Sequence, residues 1–363
     1  MAQRKSQVNF SKSRTLQTVI GRVLRPQEEP LASELSAMVT KASPLRRLCV
    51  GAILCLVILH LPGVGEAEEG VALSPVSVRQ PDCGYVESSE DSGTSENGIF
   101  QSVGLPDDDV FRPLLADPKE PRFSGNLQRV RFRDVDETVD IAVVGFGGTF
   151  GLWGLRQEKN CNGLQLNIFG AVFSQFDLDA SSSDLINSDF QFGLPLTLRH
   201  GPFSARLRVF HQSSHVGDEF LLNNPDFDRV NLSFEMVEAI GSLDFGWARG
   251  YGGGGYLYNR KPALDRWTLQ WGLELRAPRR PSEILGSLVE GLLFAPVFGA
   301  DFRAVEQLGW DINTSLVGGL EWSRLNSTRR LRLLLSYYHG RNPYGQFFDQ
   351  RINSYGIGLY IEL

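Results

Sequence analysis

Asp265-Arg266-Trp267-Thr268-Leu269-Gln270-Trp271-Gly272-Leu273-Glu274-Leu275-Arg276-Ala277 alternates apolar and polar side chains. Trp267, Leu269, Trp271, Leu273 and Leu275 fall on one side, and Thr268, Gln270, Gly272, Glu274 and Arg276 on the other. A period of two marks a strand with one apolar and one polar face. Residues 310–323 repeat the pattern, with Trp310, Ile312, Thr314, Leu316, Leu320 and Trp322 set against Asp311, Asn313, Ser315, Glu321 and Ser323. So does the end of the chain, where Tyr355, Ile357, Leu359, Ile361 and Leu363 alternate with Ser354, Gly356, Gly358, Tyr360 and Glu362. These segments exceed the usual strand of about five or six residues. They match the roughly 9–11 residues of a tilted strand crossing a bilayer. In such a wall the apolar face meets lipid and the polar face lines a lumen.

Working outward from these segments, the pattern predicts an all-β fold, a roughly twelve-stranded antiparallel transmembrane β-barrel over 138–363. The expected strands are 139–147, 148–156, 163–177, 187–199, 202–214, 229–241, 243–258, 265–277, 291–304, 310–324, 329–339 and 350–363. The first two could equally be one strand of 139–155. The long connections 215–228 and 340–349 fall at one end and the turn His200-Gly201-Pro202 at the other. Residues 278–290 read as a short helix. Gly252-Gly253-Gly254-Gly255 reads as a bulge or kink, since the Lys-Ser/Thr of a phosphate loop does not follow it.

Ahead of the barrel, Lys41, Arg46 and Arg47 precede the apolar run Leu48–Leu59, followed by Pro62-Gly63 and the small-residue stretch to Ala67. This is the layout of a secretory signal peptide, cleaved after Ala67. Uncleaved, the run would be an anchor. Met38 begins a signal of ordinary size. Residues 68–104, rich in Ser, Glu and Gly, read as a disordered linker. Residues 105–137 hold Pro113, Pro118 and Pro121, and read as an extended periplasmic lead-in. Of the four cysteines, Cys49 and Cys55 leave with the signal, and an oxidising compartment would let Cys83 and Cys161 pair.

Composition narrows the function classes. The 363 residues are 42% apolar and 21% charged, with 38 glycines and 23 phenylalanines. Beyond position 70 no apolar run is long enough for a bundle of transmembrane helices. A net charge of −6 argues against a nucleic-acid partner. The expected partner is membrane lipid, with outer-membrane insertion machinery needed to place the barrel.

Chemistry concentrates in Ala205-Arg206-Leu207-Arg208-Val209-Phe210-His211-Gln212-Ser213-Ser214-His215-Val216-Gly217-Asp218-Glu219. Two arginines cannot face lipid at depth without heavy cost, so Arg206 and Arg208 point inward. Parity then puts His211 and Ser213 on the lipid side near the outer end of the strand. On the next strand Val230, Leu232, Phe234 and Met236 read as the lipid face, with Asn231, Ser233 and Glu235 inward. Asp228 shares the lipid-side parity. A serine hydroxyl becomes a nucleophile when a base takes its proton and an acceptor orients that base. Ser213, His211 and Asp228 fit those three roles. Glu219 or Asp218 could stand in for Asp228. A polar pair at headgroup level is the plainer reading of the same residues.

The barrel with its His-x-Ser motif resembles the bacterial outer-membrane phospholipase A family, as does the close of the chain, Gly340-Arg341-Asn342-Pro343-Tyr344-Gly345 to Gly356-Ile357-Gly358. That family carries Asn where this chain has Asp228, and follows His-x-Ser with Asn-Gly-Arg where this chain has Ser214-His215-Val216-Gly217. The resemblance implies a calcium cofactor and a homodimer. A second resemblance covers about 105–363. Phe111–Phe123 and His211–Glu219 together are similar to a bacterial family of outer-membrane-barrel-like proteins of unknown function. The expected function is a serine hydrolase deacylating membrane lipid at the outer leaflet. The alternative is a non-enzymatic barrel, either a narrow pore or a structural outer-membrane protein.

Overall fold

A computed structural model of the chain describes residues 100–157, 162–282, 291–324 and 327–362. The expected signal segment and cleavage site, nearly all of the expected linker, Cys83 and Cys161 lie outside the described residues, as does 283–290 of the expected helix.

Twelve antiparallel strands close into a ring: β1 (Phe123–Phe132), β2 (Glu137–Gln157), β3 (Gly163–Asp177), β4 (Leu185–His200), β5 (Phe203–Val216), β6 (Ser233–Phe245), β7 (Ala248–Lys261), β8 (Trp267–Arg276), β9 (Leu292–Val305), β10 (Ile312–Arg324), β11 (Arg330–Arg341) and β12 (Arg351–Glu362). β12 pairs with β1 from Ile352 opposite Phe132 to Ile361 opposite Phe123, so the ring has no free first or last strand. Closure satisfies the backbone hydrogen bonds that a membrane cannot.

The strand number agrees with the sequence pattern, but two strands are placed differently. Residues 139–147 and 148–156 form the single long strand β2, with a register shift between Gly151 and Trp153. The missing strand is β1, which lies in the stretch expected as a lead-in, so the barrel begins at Phe123 and not at 138. Arg129, Arg131 and Arg133 on alternate positions hid its apolar face from a search for lipid-facing residues. The glycine run Gly252–Gly255 is no bulge. It continues the β6–β7 register, and the shift falls instead between Glu235 and Met236. Glycine is needed there because a Cβ at Gly253 would lie 2.0 Å from the Ala239 carbonyl oxygen. Arg280–Pro281 is a short extended bridge to β9.

The outer wall is apolar. Phe146, Phe192, Leu194, Leu207, Val209, Trp267, Leu269, Leu335 and Leu359 all present exposed side chains. The inner wall is charged, with Arg206, Arg208, Glu238, Arg249, Gln270, Glu274, Asp301, Glu321 and Arg332 buried. Such an inverted distribution is stable only with hydrocarbon outside.

Residues 106–122 fill the lumen. Val110, Phe111, Leu114, Leu115 and Ala116 are buried inside the ring. Prolines prevent this segment from joining a sheet, so its polar backbone needs other partners. The Arg122 guanidinium donates to the carbonyls of Leu114, Leu115 and Asp117, and the Leu115 amide donates to Glu274 at 2.7 Å. Charge pairs tie the segment to the wall. Arg206 donates to both oxygens of Glu120, at 2.6 and 3.2 Å. Arg303 lies 3.2 Å from Asp117, and Arg112 pairs with Asp244.

One end of the barrel carries the long connections 217–232 and 342–350, and the other the short turns near Gly201 and Gly246. At the first, α1 (Asp218–Asn223) and the 342–350 loop fold over the mouth. Phe220, Phe227 and Phe347 pack there in edge-to-face and tilted contacts, clustered with Val130, Ile141, Ile186 and Tyr344. Burial and the neighbouring Asp189 carboxylate push the Tyr344 phenol above its ordinary range.

Candidate functional site

β5 alternates as its charges demand. Ser204, Arg206, Arg208, Phe210, Gln212 and Ser214 are buried toward the lumen, while Leu207, Val209, His211, Ser213 and His215 leave the outer face. Arg208 is held by Glu238 from β6 at 2.6 Å. His211 and Ser213 therefore stand on the lipid-facing wall close to the mouth.

β6 has the opposite parity to the one its apolar residues imply. Met236 pairs with Phe210 and Phe234 with Gln212, so both turn inward, and Glu235 sits outside directly across from His211. The reason is local. Near the mouth the inner wall is itself apolar, and Phe169, Phe210, Leu232, Met236 and Leu257 form one cluster with Phe234 against it. Apolarity there does not mark the lipid side.

His211 Nδ1 lies 3.1 Å from Glu235 Oε1. A carboxylate can only accept, so Nδ1 carries the hydrogen and Nε2 keeps its lone pair. The His211 side chain is 44% exposed and that of Glu235 28%, so both are open to a ligand from the membrane side. Ser213 leaves the same face two residues further on, about 6.6 Å along the strand. Its hydroxyl makes no side-chain hydrogen bond among the described residues. Catalytic contacts often tighten only with substrate bound.

Asp228 is exposed in the loop before β6 and makes no contact with His211 among the described residues. Glu235 is the carboxylate that lies directly across from His211. Asp218 and Glu219 lie in the first turn of α1, and His215 packs its ring against Phe190 at 5.6 Å. Cross-strand register was the missing signal, because a strand-by-strand reading cannot show which residue faces His211.

Apolar side chains surround the pair. Phe190 stands opposite Ser213 and Phe192 opposite His211, and below them Leu194 meets Val209 and Leu196 meets Leu207. The inner side of the same backbone is clamped. Ser214 Oγ donates to Asp189, and Gln346 Nε2 donates to the Ser214 carbonyl at 2.9 Å. Asp189 in turn binds Lys119 Nζ at 2.6 Å and the Gly345 amide at 3.0 Å. Among the described residues no group of three His, Cys, Asp or Glu side chains is placed to hold a metal ion. The calcium implied by the phospholipase resemblance finds no such cluster among the described residues.

A family model matches residues 71–362. The chain belongs to the DUF1207 family, proteins of unknown function. The match takes in the lumen segment, the whole barrel and the His211–Ser213 wall. No curated protein matches the sequence. Among solved structures, the fold is similar to outer membrane phospholipase A from Escherichia coli, at 14% identity and TM-score 0.43 over 69% of this chain and 93% of that one. It is similar to the calcium-bound dimer of the Salmonella typhi outer membrane phospholipase, at 11% identity and TM-score 0.42 over 70% and 95%. It is also similar to the β domain of the Bordetella autotransporter BrkA, at 12% identity and TM-score 0.39 over 67% and 98%. The likeness is one of outer-membrane-type barrel architecture.

Proposed function

We propose that this DUF1207 protein is an outer-membrane acyl hydrolase acting on membrane lipid, with Ser213 as nucleophile, His211 as base and Glu235 as the residue that orients it. The observation that carries the reading is the contact of His211 Nδ1 with the Glu235 carboxylate at 3.1 Å on the lipid-facing wall, beside Ser213. Ionisable groups on a membrane face are costly unless they serve a function.

Each group has a defined task. Glu235 fixes the tautomer and stabilises the imidazolium. His211 Nε2 takes the Ser213 proton as Oγ attacks the ester carbonyl carbon. The tetrahedral intermediate collapses, His211 returns the proton to the leaving alkoxide, and a water activated by the same nitrogen releases the fatty acid from Ser213. The acyl chain lies along Phe192, Leu194, Val209 and Leu207, which supply apolar surface below the site. The mouth loops then face outward, with export by the N-terminal signal segment.

A sealed structural barrel is the second reading, and the filled lumen favours it over a pore. Fatty-acid release from phospholipid micelles separates the readings. The hydrolase predicts release by purified protein, abolished by Ser213→Ala, in assays run with and without calcium. No release by a folded barrel in either condition would leave the structural reading.

A further inference from the structure

The ring has a notch. β1 pairs with β2 only from Phe132 opposite Glu137 to Ser124 opposite Gly145. The same edge of β2 is next met by a short strand, Phe100–Gly104, from Trp153 onward. Between the two, the chain leaves the wall to form the lumen segment. Among the described residues Phe146–Gly151 has no strand on that edge. On the other side β12 has nearly finished, with Ile361 opposite Phe123. Thr149, inward by alternation, is consequently exposed.

A cavity of about 370 Å³ lies behind the notch. That is within the roughly 300–1,000 Å³ of pockets that hold small ligands. Its rim includes the outer-wall side chains Phe123, Phe150 and Ile361, and its interior includes Asp109, Arg122 and Arg206. An apolar rim at bilayer depth with a charged interior suits an amphiphile. The tail stays in hydrocarbon and the headgroup enters the lumen.

The interior also indicates which headgroup. Arg122 is 6% exposed. It donates only to carbonyls, of Leu114, Leu115 and Asp117, and has no carboxylate partner among the described residues. Arg206 Nε is buried with no acceptor, although its terminal nitrogens hold Glu120. Both are donors suited to a phosphate oxygen. Asp109 accepts from the Thr197 hydroxyl at 2.6 Å, the Phe111 amide at 3.2 Å and Asn167 at 3.2 Å, with no cation in ion-pair reach among the described residues. It is suited to an ammonium. A guanidinium with no carboxylate partner and a carboxyl with no ion-pair partner, both among the described residues, match a zwitterion better than an anion.

We propose that this notch is a lateral portal and that the cavity behind it binds the phosphoethanolamine headgroup of a phospholipid drawn from the leaflet at the turn end of the barrel. The site is distinct from the His211–Ser213 wall and does not depend on the hydrolase reading.

The test places a benzophenone amino acid at Thr149, and separately at Leu273 on the outer wall, away from both the notch and the His211–Ser213 wall. The full chain is reconstituted in vesicles of equal parts phosphatidylethanolamine, phosphatidylcholine and phosphatidylglycerol, and the lipid adducts are identified by mass spectrometry. Adducts at Thr149 should be enriched in phosphatidylethanolamine by about tenfold over those at Leu273, the scale of one charge-assisted contact. Arg122→Gln and Asp109→Asn should each remove the enrichment while heat-modifiable gel migration stays that of a folded barrel. Equal composition at the two positions, no lipid at Thr149, or enrichment in phosphatidylglycerol would overturn the proposal. So would loss of the adduct on adding inorganic phosphate, which would assign the cavity to the free anion.

Discussion

Lys119 Nζ and Asp189 Oδ2 meet at 2.6 Å inside the barrel, and this pair joins the lumen segment to the wall that carries the serine. Lys119 also lies 3.8 Å above the Tyr344 ring, while Asp189 accepts from Gly345 and Ser214, so segment, wall and mouth loop converge on one buried charge pair. Removing one member of such a pair leaves the other buried without its partner, at a cost of about 3–5 kcal/mol. Lys119→Met is expected to lower the urea midpoint of the micelle-bound protein accordingly, and Lys119→Met with Asp189→Asn to recover part of the loss. Tryptophan fluorescence during unfolding checks both.

The filled lumen makes a statement about conduction. Purified protein in a planar bilayer should show no sustained ion current. A variant lacking 106–122 should conduct if it still migrates as a folded barrel. Steady current from the intact chain would show that the segment does not seal the ring.

Register places Glu235, and not Asp228, opposite His211. Glu235→Gln removes the charge opposite His211 and should lower acyl-ester hydrolysis roughly 10²–10⁴-fold. Asp228→Asn, at an exposed loop position, should change the rate by no more than about twofold. The reverse order would return the role to Asp228.

Gly345 is closely surrounded. A Cβ there would lie 2.5 Å from Leu232 Cδ2 and 2.8 Å from Ser214 Cβ. Gly345→Val should lift the 342–350 loop from the mouth, cost about 1–3 kcal/mol, and expose Arg341 and Arg351 to trypsin. Limited proteolysis reads this directly.

Much of the wall was legible in the sequence because lipid enforces alternation. The inward Arg206 and Arg208, the outward Trp267–Leu275 series and the outer-face position of His211 and Ser213 all follow from parity. The lumen segment was not legible. Its prolines exclude a strand, but nothing local tells a chain packed inside a ring from one extended outside it. The partner of His211 was hidden for a related reason. Phe234 and Met236 are apolar because they fill the mouth beside Phe210, which inverts the apparent face of β6 and makes Glu235 look inward from the strand alone. Long-range pairing decides both cases, and neither is encoded in a single strand.

The account stands or falls on Ser213 as a nucleophile. The direct measurement is labelling of the folded protein in mixed micelles by a lipid-like fluorophosphonate, with the adduct located by mass spectrometry. One adduct on the Ser213 Oγ is expected, absent in His211→Ala and strongly slowed in Glu235→Gln. No adduct on a folded barrel, or labelling at another serine unaffected by His211→Ala, would contradict the hydrolase reading.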